Sequence, residues 1–299
     1  MNARLHTVQM PPRQKAILRG IARKNSSTML LTRQGEAAMS NRTPCDDLQF
    51  AFPSDEQVAA LAESIDTAGF GVLEDAVSDC VVDQSRHYVE DQLFQRGGQY
   101  FGLAGHEWIE ESPLAPLARS PQLEDVLKKL YHHAMGELPP QRPPTPSLRV
   151  LAGTVGLRHS YLFHYDSYVV TALVPLLIPH EAGELPGDLL LYPNMRRIRH
   201  SAIVNILEKM LVENSLACRA WRTSWMRRRF GARVVKMKPG SIYFFWGIRS
   251  LHANEACLVT SIRSTALFHY GDPHAGSFLK RLSARRHLAR LRRLNRGTN

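Results

Sequence analysis

Apolar residues recur at helical spacing over Val58, Leu61, Ala62 and Ile65, and the run closes near Gly69. Ser54 followed three residues later by Gln57 is a capping-box pattern that opens it. A short strand is predicted over 70–73, a second helix over about 79–94, and a third from Ser120 and Pro121, cap and first-turn proline, to about Met135. Pro139, Pro140, Pro143, Pro144 and Pro146 then make a stiff extended connector. Beyond it the periodicity changes. The segments 148–155, 161–164, 168–178, 188–192, 232–236, 241–246 and 258–270 are short runs rich in Val, Ile, Leu, Tyr and Phe, separated by turn formers such as Pro186-Gly187 and Pro239-Gly240. One helix interrupts them, marked by Ile203, Ile206, Leu207, Met210 and Leu211.

Helices followed by many short strands predict an α+β chain built around a sandwich or barrel. The connector reads as the passage from a helical layer (48–138) into a β-rich core (147–274), not as a domain boundary, and 195–233 as an insertion within that core. No internal repeat at solenoid periods is present.

Composition changes this picture only at the ends. With 44% hydrophobic and 22% charged residues, the 299-residue chain belongs to no fibrous, disordered or disulfide-scaffold class. No apolar stretch is long enough for a bilayer span. The net charge of +11 is concentrated in two tails: residues 1–35 carry +7 and residues 275–299 carry +8, both without an acidic residue. The ends read as a poorly ordered basic extension (1–47) and a basic, helical tail (275–299), and they leave open binding to nucleic acid or an anionic surface. The acid-poor N-terminus also has the character of an organelle transit peptide, against a default cytoplasmic reading. Cys45, Cys80, Cys218 and Cys257 are widely spaced and read as free thiols.

The candidate chemistry begins at His164-Tyr165-Asp166. With 13 His and 27 acidic residues, about one His-x-acid pair is expected by chance, so context decides. This pair falls where one strand ends and another opens, and residues i and i+2 of a strand point to the same side. An imidazole and a carboxylate there can converge on one metal ion, with His252 as a third ligand arriving after the apolar strand that follows Pro239-Gly240. Eleven residues later Arg263 interrupts an apolar strand, on one face with Ser261 and Thr265. An arginine in a buried strand needs a charge partner, and a guanidinium with hydroxyls beside it suits a two-pronged carboxylate. Two His and one carboxylate leave coordination positions open, the arrangement used by non-haem Fe(II) oxygenases.

The order His-x-Asp, distant His, then Arg resembles the Fe(II)/2-oxoglutarate-dependent oxygenases. The text of 238–270, with the early Ala68-Gly-Phe-Gly-Val-Leu-Glu-Asp75, is most similar to the phytanoyl-CoA dioxygenase-like family. The resemblance implies a double-stranded β-helix (a cupin-like jelly roll) with flanking helices as the oxygenase domain, 48–274. It implies His164, Asp166 and His252 as Fe(II) ligands, Arg263 as the clamp on 2-oxoglutarate, and Asn254 at a cosubstrate position where a small hydroxyl residue or Gly is more usual. The reaction would consume O2 and 2-oxoglutarate, release succinate and hydroxylate a substrate. Halogenating relatives carry a small residue where Asp166 stands, which favours hydroxylation.

Other histidines are weaker candidates. His269, Asp272 and His274 read as part of an exposed turn, His132-His133 as helix surface, and Tyr243 and Trp246 as barrel packing. The insertion 195–233 holds ten Arg and Lys against Glu208 and Glu213. It is expected to overhang the barrel mouth and receive an anionic small molecule or carrier-bound substrate, such as a CoA thioester, a phosphorylated metabolite or an acidic carrier protein. The rival reading is a non-catalytic jelly roll that binds nucleic acid or anionic surfaces through the tails.

Overall fold

The computed structural model describes residues 50, 52–180, 184–198 and 201–275. Both basic tails, with the expectations attached to them, lie outside the described residues.

Helix α1 (Asp55–Ala68) begins as the sequence pattern predicts. Ser54 Oγ accepts the Gln57 N–H, the Gln57 side chain accepts the Ser54 N–H at 2.8 Å, and Gly69 closes the helix in the left-handed region at φ 93°. Strand β1 (Gly71–Leu73) and helix α2 (Asp79–Gln95) follow, then β2 (Phe101–Ala104) and two short helices, α3 (His106–Glu110) and α4 (Ala115–Ala118). Helix α5 (Pro121–Met135) has the expected Ser120 cap, which accepts the Leu123 N–H.

The β-rich half comprises β3 (Thr145–Leu151), a short helix α6 (Gly153–Arg158), β4 (Val170–Leu177) and β5 (Leu189–Tyr192). Three insertion helices come next: α7 (Ala202–Val212), α8 (Ser215–Trp221) and α9 (Ser224–Arg229). The chain then returns through β6 (Arg233–Val235), β7 (Ile242–Trp246), β8 (Leu251–Asn254) and β9 (Arg263–Tyr270). The strand expected over 148–155 stops at Leu151, because Gly153 at φ 65° turns the chain into α6. The strand expected over 161–164 reduces to one bridge, His164 to His252, on the free edge of β8.

All named strand pairs are antiparallel and form two sheets: β1-β7-β4-β9-β3-β2, and β6-β5-β8. One face of the large sheet, with Ala172, Val174, Phe244, Trp246, Ala266 and Phe268, packs on the apolar faces of α1, α2 and α5. Its other face meets the small sheet, where Leu173, Tyr243 and Phe245 pack with Leu189, Leu191 and Val235. The outer face of the small sheet is covered in turn by α8, through Leu190, Tyr192, Leu251 and Ala253 against Cys218 and Trp221. Helices, large sheet, small sheet and insertion are therefore stacked layers, an α+β jelly roll with flanking helices. β4 lies central and buried on both faces, which is why its sequence is an unbroken apolar run.

Cys218 and Cys257 are buried free thiols. Cys80 is disulfide-bonded, so the expectation of four free thiols fails there.

Candidate metal centre

The strand geometry around β8 explains how the His-x-Asp pair is held. His164 and His252 exchange backbone hydrogen bonds at 3.0 and 3.1 Å, which places their rings side by side, centroids 4.4 Å apart. Two residues on, the Asp166 N–H donates to Gly247 O at 3.0 Å, which fixes the carboxylate beneath the two rings. Nε2 of His164 and Nε2 of His252 each lie 3.7 Å from Asp166 Oδ1. The three side chains bring one ligand atom each to within 4.8 Å of one another, and no other group of three or more His, Cys or acidic residues does so among the described residues.

The surrounding hydrogen bonds prepare these atoms to ligate. His164 Nδ1 faces Leu162 O at 2.9 Å and His252 Nδ1 faces Ser250 O at 3.0 Å. A carbonyl only accepts, so each ring carries its proton on Nδ1 and presents the Nε2 lone pair to the shared space. Asp166 is oriented by a relay: Ser147 Oγ donates to His269 Nε2 (3.3 Å), His269 Nδ1 to Thr171 Oγ1 (3.1 Å), and Thr171 Oγ1 to Asp166 Oδ2 (2.6 Å). Tyr168 stacks on the His269 ring with centroids 5.0 Å apart.

Electrostatics agree with the tautomers. Burial pushes His164 down to about 4, with His252 next to it adding repulsion between the protonated forms. Burial also lowers His252 and His269. For Asp166 burial acts upward, but His252, His269, His164 and the Thr171 hydrogen bond together outweigh it, and the carboxyl sits well below the usual carboxylate range. Neutral imidazoles and an ionised carboxylate are the forms a divalent cation needs.

His164, Asp166 and His252 line a cavity of about 300 Å³ between the sheets. Arg263, Thr265, Leu267 and His269 also line it, alternate residues of β9 on one face. Arg263 is 2% exposed, and its Nε has no hydrogen-bond partner. Burial lowers its pKa to about 10, so it remains cationic at neutral pH. A second guanidinium, Arg149 of β3, lines the same cavity with its Nε also unpartnered. Gly187 makes room for Arg263: a Cβ there would meet the Arg263 Cδ at 2.8 Å and Cys257 Sγ at 2.3 Å.

The site residues read from sequence thus converge, with one exception. Thr265 and Asn254 line the cavity, and Asn254 Nδ2 donates to Glu255 O. Ser261 precedes β9, is not among the cavity-lining residues, and donates its hydroxyl to Glu184. The insertion also departs from expectation. None of the described residues of 195–233 lines the cavity; α8 covers the outer face of the small sheet instead, and Arg227 pairs with Glu255 at 3.0 Å. His269 does not sit in an exposed turn: it stands on the cavity face of β9 six residues from Arg263, a position the two-residue period of that strand already marks. Thr171 was also missed; its signal was a hydroxyl inside an apolar central strand. Trp246 and Tyr243 pack as expected, with Trp246 Nε1 donating to Asp66 and the Tyr243 hydroxyl to Lys236 O.

No protein-family model matches the chain, and no curated protein is similar to it by sequence. Solved structures are similar in fold. EctD from S. alaskensis with bound Fe superposes with a TM-score of 0.50 at 18% identity, over 76% of this chain and 78% of that one. The non-heme alpha-ketoglutarate-dependent carbocyclase SnoK of nogalamycin biosynthesis gives 0.49 at 18% identity, over 77% and 91%. A prolyl hydroxylase from Trichoplax adhaerens gives 0.45 at 16% identity, over 74% and 93%. At these identities the likeness is one of fold: this chain has the jelly roll found in Fe(II)/2-oxoglutarate-dependent oxygenases.

Proposed function

We propose that the protein is an Fe(II)- and 2-oxoglutarate-dependent oxygenase acting on a small or carrier-bound anionic substrate. The observation that carries this reading is the cavity itself, with two Nε2 lone pairs and an ionised carboxylate at one end and an unpaired, buried guanidinium in its wall. Two imidazoles and one carboxylate suit Fe(II) with positions left open for a chelating cosubstrate and O2. Bound there, the metal would supply oxidative decarboxylation of 2-oxoglutarate to succinate and CO2, with an oxygen atom delivered to a substrate C–H bond.

The chain's own residues do the rest. His164, Asp166 and His252 hold the ion, and the Nδ1–H bonds and the Thr171–His269–Ser147 relay keep the three donors aimed. Arg263, with the Thr265 hydroxyl on the same strand face, binds the far carboxylate of the keto acid in two-pronged fashion and fixes its depth. Asn254 lines the same cavity and offers a further polar contact. Leu173, Leu189 and Phe245 supply apolar walls that limit water around the reacting centre. Arg149 supports the anionic substrate: once one dianionic cosubstrate has met Arg263, a second cation, held by the His159 carbonyl and without a carboxylate among its hydrogen-bond partners, still lines the cavity.

The test is anaerobic loading with Fe(II) followed by 2-oxoglutarate, reading the weak visible charge-transfer band of the chelate. Wild type should show the band, His164→Ala should abolish it, and Arg263→Ala should shift it to higher cosubstrate concentration. Arg149→Met should keep the band while weakening the turnover stimulated by anionic substrates. Stoichiometric iron without a band would leave a metal-binding jelly roll and reject the oxygenase.

A further inference from the structure

Helix α7 is built inside out. At 100° per residue, Ile206, Met210, Ile203, Leu207, Leu211 and Val204 fall in that order along one arc of about 160°. All six are exposed, from 42% for Ile206 to 73% for Leu211. The face turned to the protein is the polar one. Asn205 is buried there, Glu208 pairs with Arg196 at 3.1 Å, and Lys209 reaches Ser167 Oγ at 3.4 Å. A helix covering a globular core shows the reverse pattern, apolar in and polar out. The next two helices continue the exposed apolar surface with Leu216 at 73% and Trp225 at 64%.

Charge indicates what this surface meets. Arg219, Arg222, Arg228, Arg229 and Arg233 of the same insertion are exposed. Its two carboxylates, Glu208 and Glu213, are both spent inward, on Arg196 and on the Tyr165 N–H. The outward surface therefore combines large aliphatic side chains, an exposed tryptophan and arginines, with no acidic residue. A second copy of the chain would bring the same arginines against these and repel them. A sheet of anionic headgroups over an acyl layer complements both components, with the arginines at phosphate level and the aliphatic chains below.

We propose that helices α7 to α9 of the insertion dock the protein on an anionic lipid bilayer, with the outer arc of α7 buried in the headgroup boundary. Its inner face grips the segment that carries His164 and Asp166, so docking holds the metal centre next to the membrane surface. The proposal does not depend on the reaction the site performs.

The experiment is flotation of the full chain with vesicles of phosphatidylcholine alone or mixed with phosphatidylserine, at low and high salt. Wild type should float with the phosphatidylserine vesicles and keep part of that binding in high salt. Leu207→Asn/Leu211→Asn changes only exposed positions, should keep the wild-type melting temperature, and should lower the high-salt partition by more than about tenfold. Trp225 gives a local readout, because Trp108 and Trp246 are buried at 6% and 0% exposure, and Trp221 is packed between Tyr192 and Phe230 with its Nε1 donating to Val212 O. Its emission should shift to the blue on phosphatidylserine vesicles, and Trp225→Phe should remove that shift. Absence of flotation would overturn the proposal. So would equal flotation of the double variant, which would assign binding to the basic tails. A wild-type dimer that the double variant makes monomeric would assign the face to self-association and also overturn it.

Discussion

Gly247 carries a constraint that no metal ligand reveals. A Cβ at this position would stand 2.5 Å from Asp166 Oδ2 and 2.6 Å from Thr171 Oγ1, so the carboxylate reaches its place only because residue 247 has no side chain. Gly247→Ala should displace Asp166, cost about 1–3 kcal/mol from overpacking, and lose Fe(II) affinity while the far-UV spectrum stays that of wild type. Isothermal titration with Fe(II) under argon checks it; undiminished affinity would show that the carboxylate has another resting place. Thr171→Val is the complementary change, nearly isosteric and without the hydroxyl that donates to Asp166 Oδ2. An outer-shell loss of this kind lowers metal affinity about 10- to 100-fold, and the same titration measures it. At this scale the cluster was legible because His164, Asp166 and His252 are chemically conspicuous. Gly247 was not, since its role is an empty volume that exists only once three segments meet.

The element scale explains which parts of the sequence pattern carried over. Helices α1 and α5 start and stop within the chain itself, at Ser54 and Gly69, and at Ser120 and Gly136, so local chemistry marks them. β2 and β8 have four residues each, too short for a period to register, and they exist because β3 and β5 offer them a partner. β4 even holds Pro175, which a central strand normally excludes; the register shift between Pro175 and Leu177 accommodates it. The insertion acts on the site from the side. Glu213, just beyond α7, accepts the Tyr165 N–H at 3.0 Å, between the two proposed metal ligands His164 and Asp166. Glu213→Ala should leave the fold intact and raise the Fe(II) concentration needed for half-occupancy several-fold. Glu213→Gln, which retains an acceptor, should restore most of the affinity. Equal loss in both variants would point to charge, not to the backbone hydrogen bond.

Across the whole molecule, three of the described histidines, His164, His252 and His269, have a folded pKa below the ordinary value. The unfolded chain binds more protons than the folded one below pH 6.5, so stability declines as the pH falls from there through the folded pKa, about 4 for His164. The melting temperature of metal-free protein should therefore drop between pH 6.5 and 4, and His164→Gln should reduce that slope. A flat melting temperature across this window would contradict the neutral imidazoles. Fe(II) with 2-oxoglutarate should raise the melting temperature at neutral pH, since ligands that bind only the folded state stabilise it by mass action. The gain should vanish in His252→Ala.

Sequence by itself determined the α+β order, the boundaries of the long helices and the central apolar strands, and it singled out His164, Asp166, His252 and Arg263, which line one cavity. Each of these rests on local patterning or on a residue type costly to bury without purpose. Tertiary structure alone decided that His269 belongs to the relay behind Asp166, that Ser261 turns away to Glu184, and that Arg149 shares the cavity. It also decided the direction of α7. The sequence marks an apolar helix there but not which side faces the protein, because that choice depends on what neighbouring segments offer. Arg196, Ser167 and the Tyr165 N–H offered polar contacts, and the apolar side was left outside.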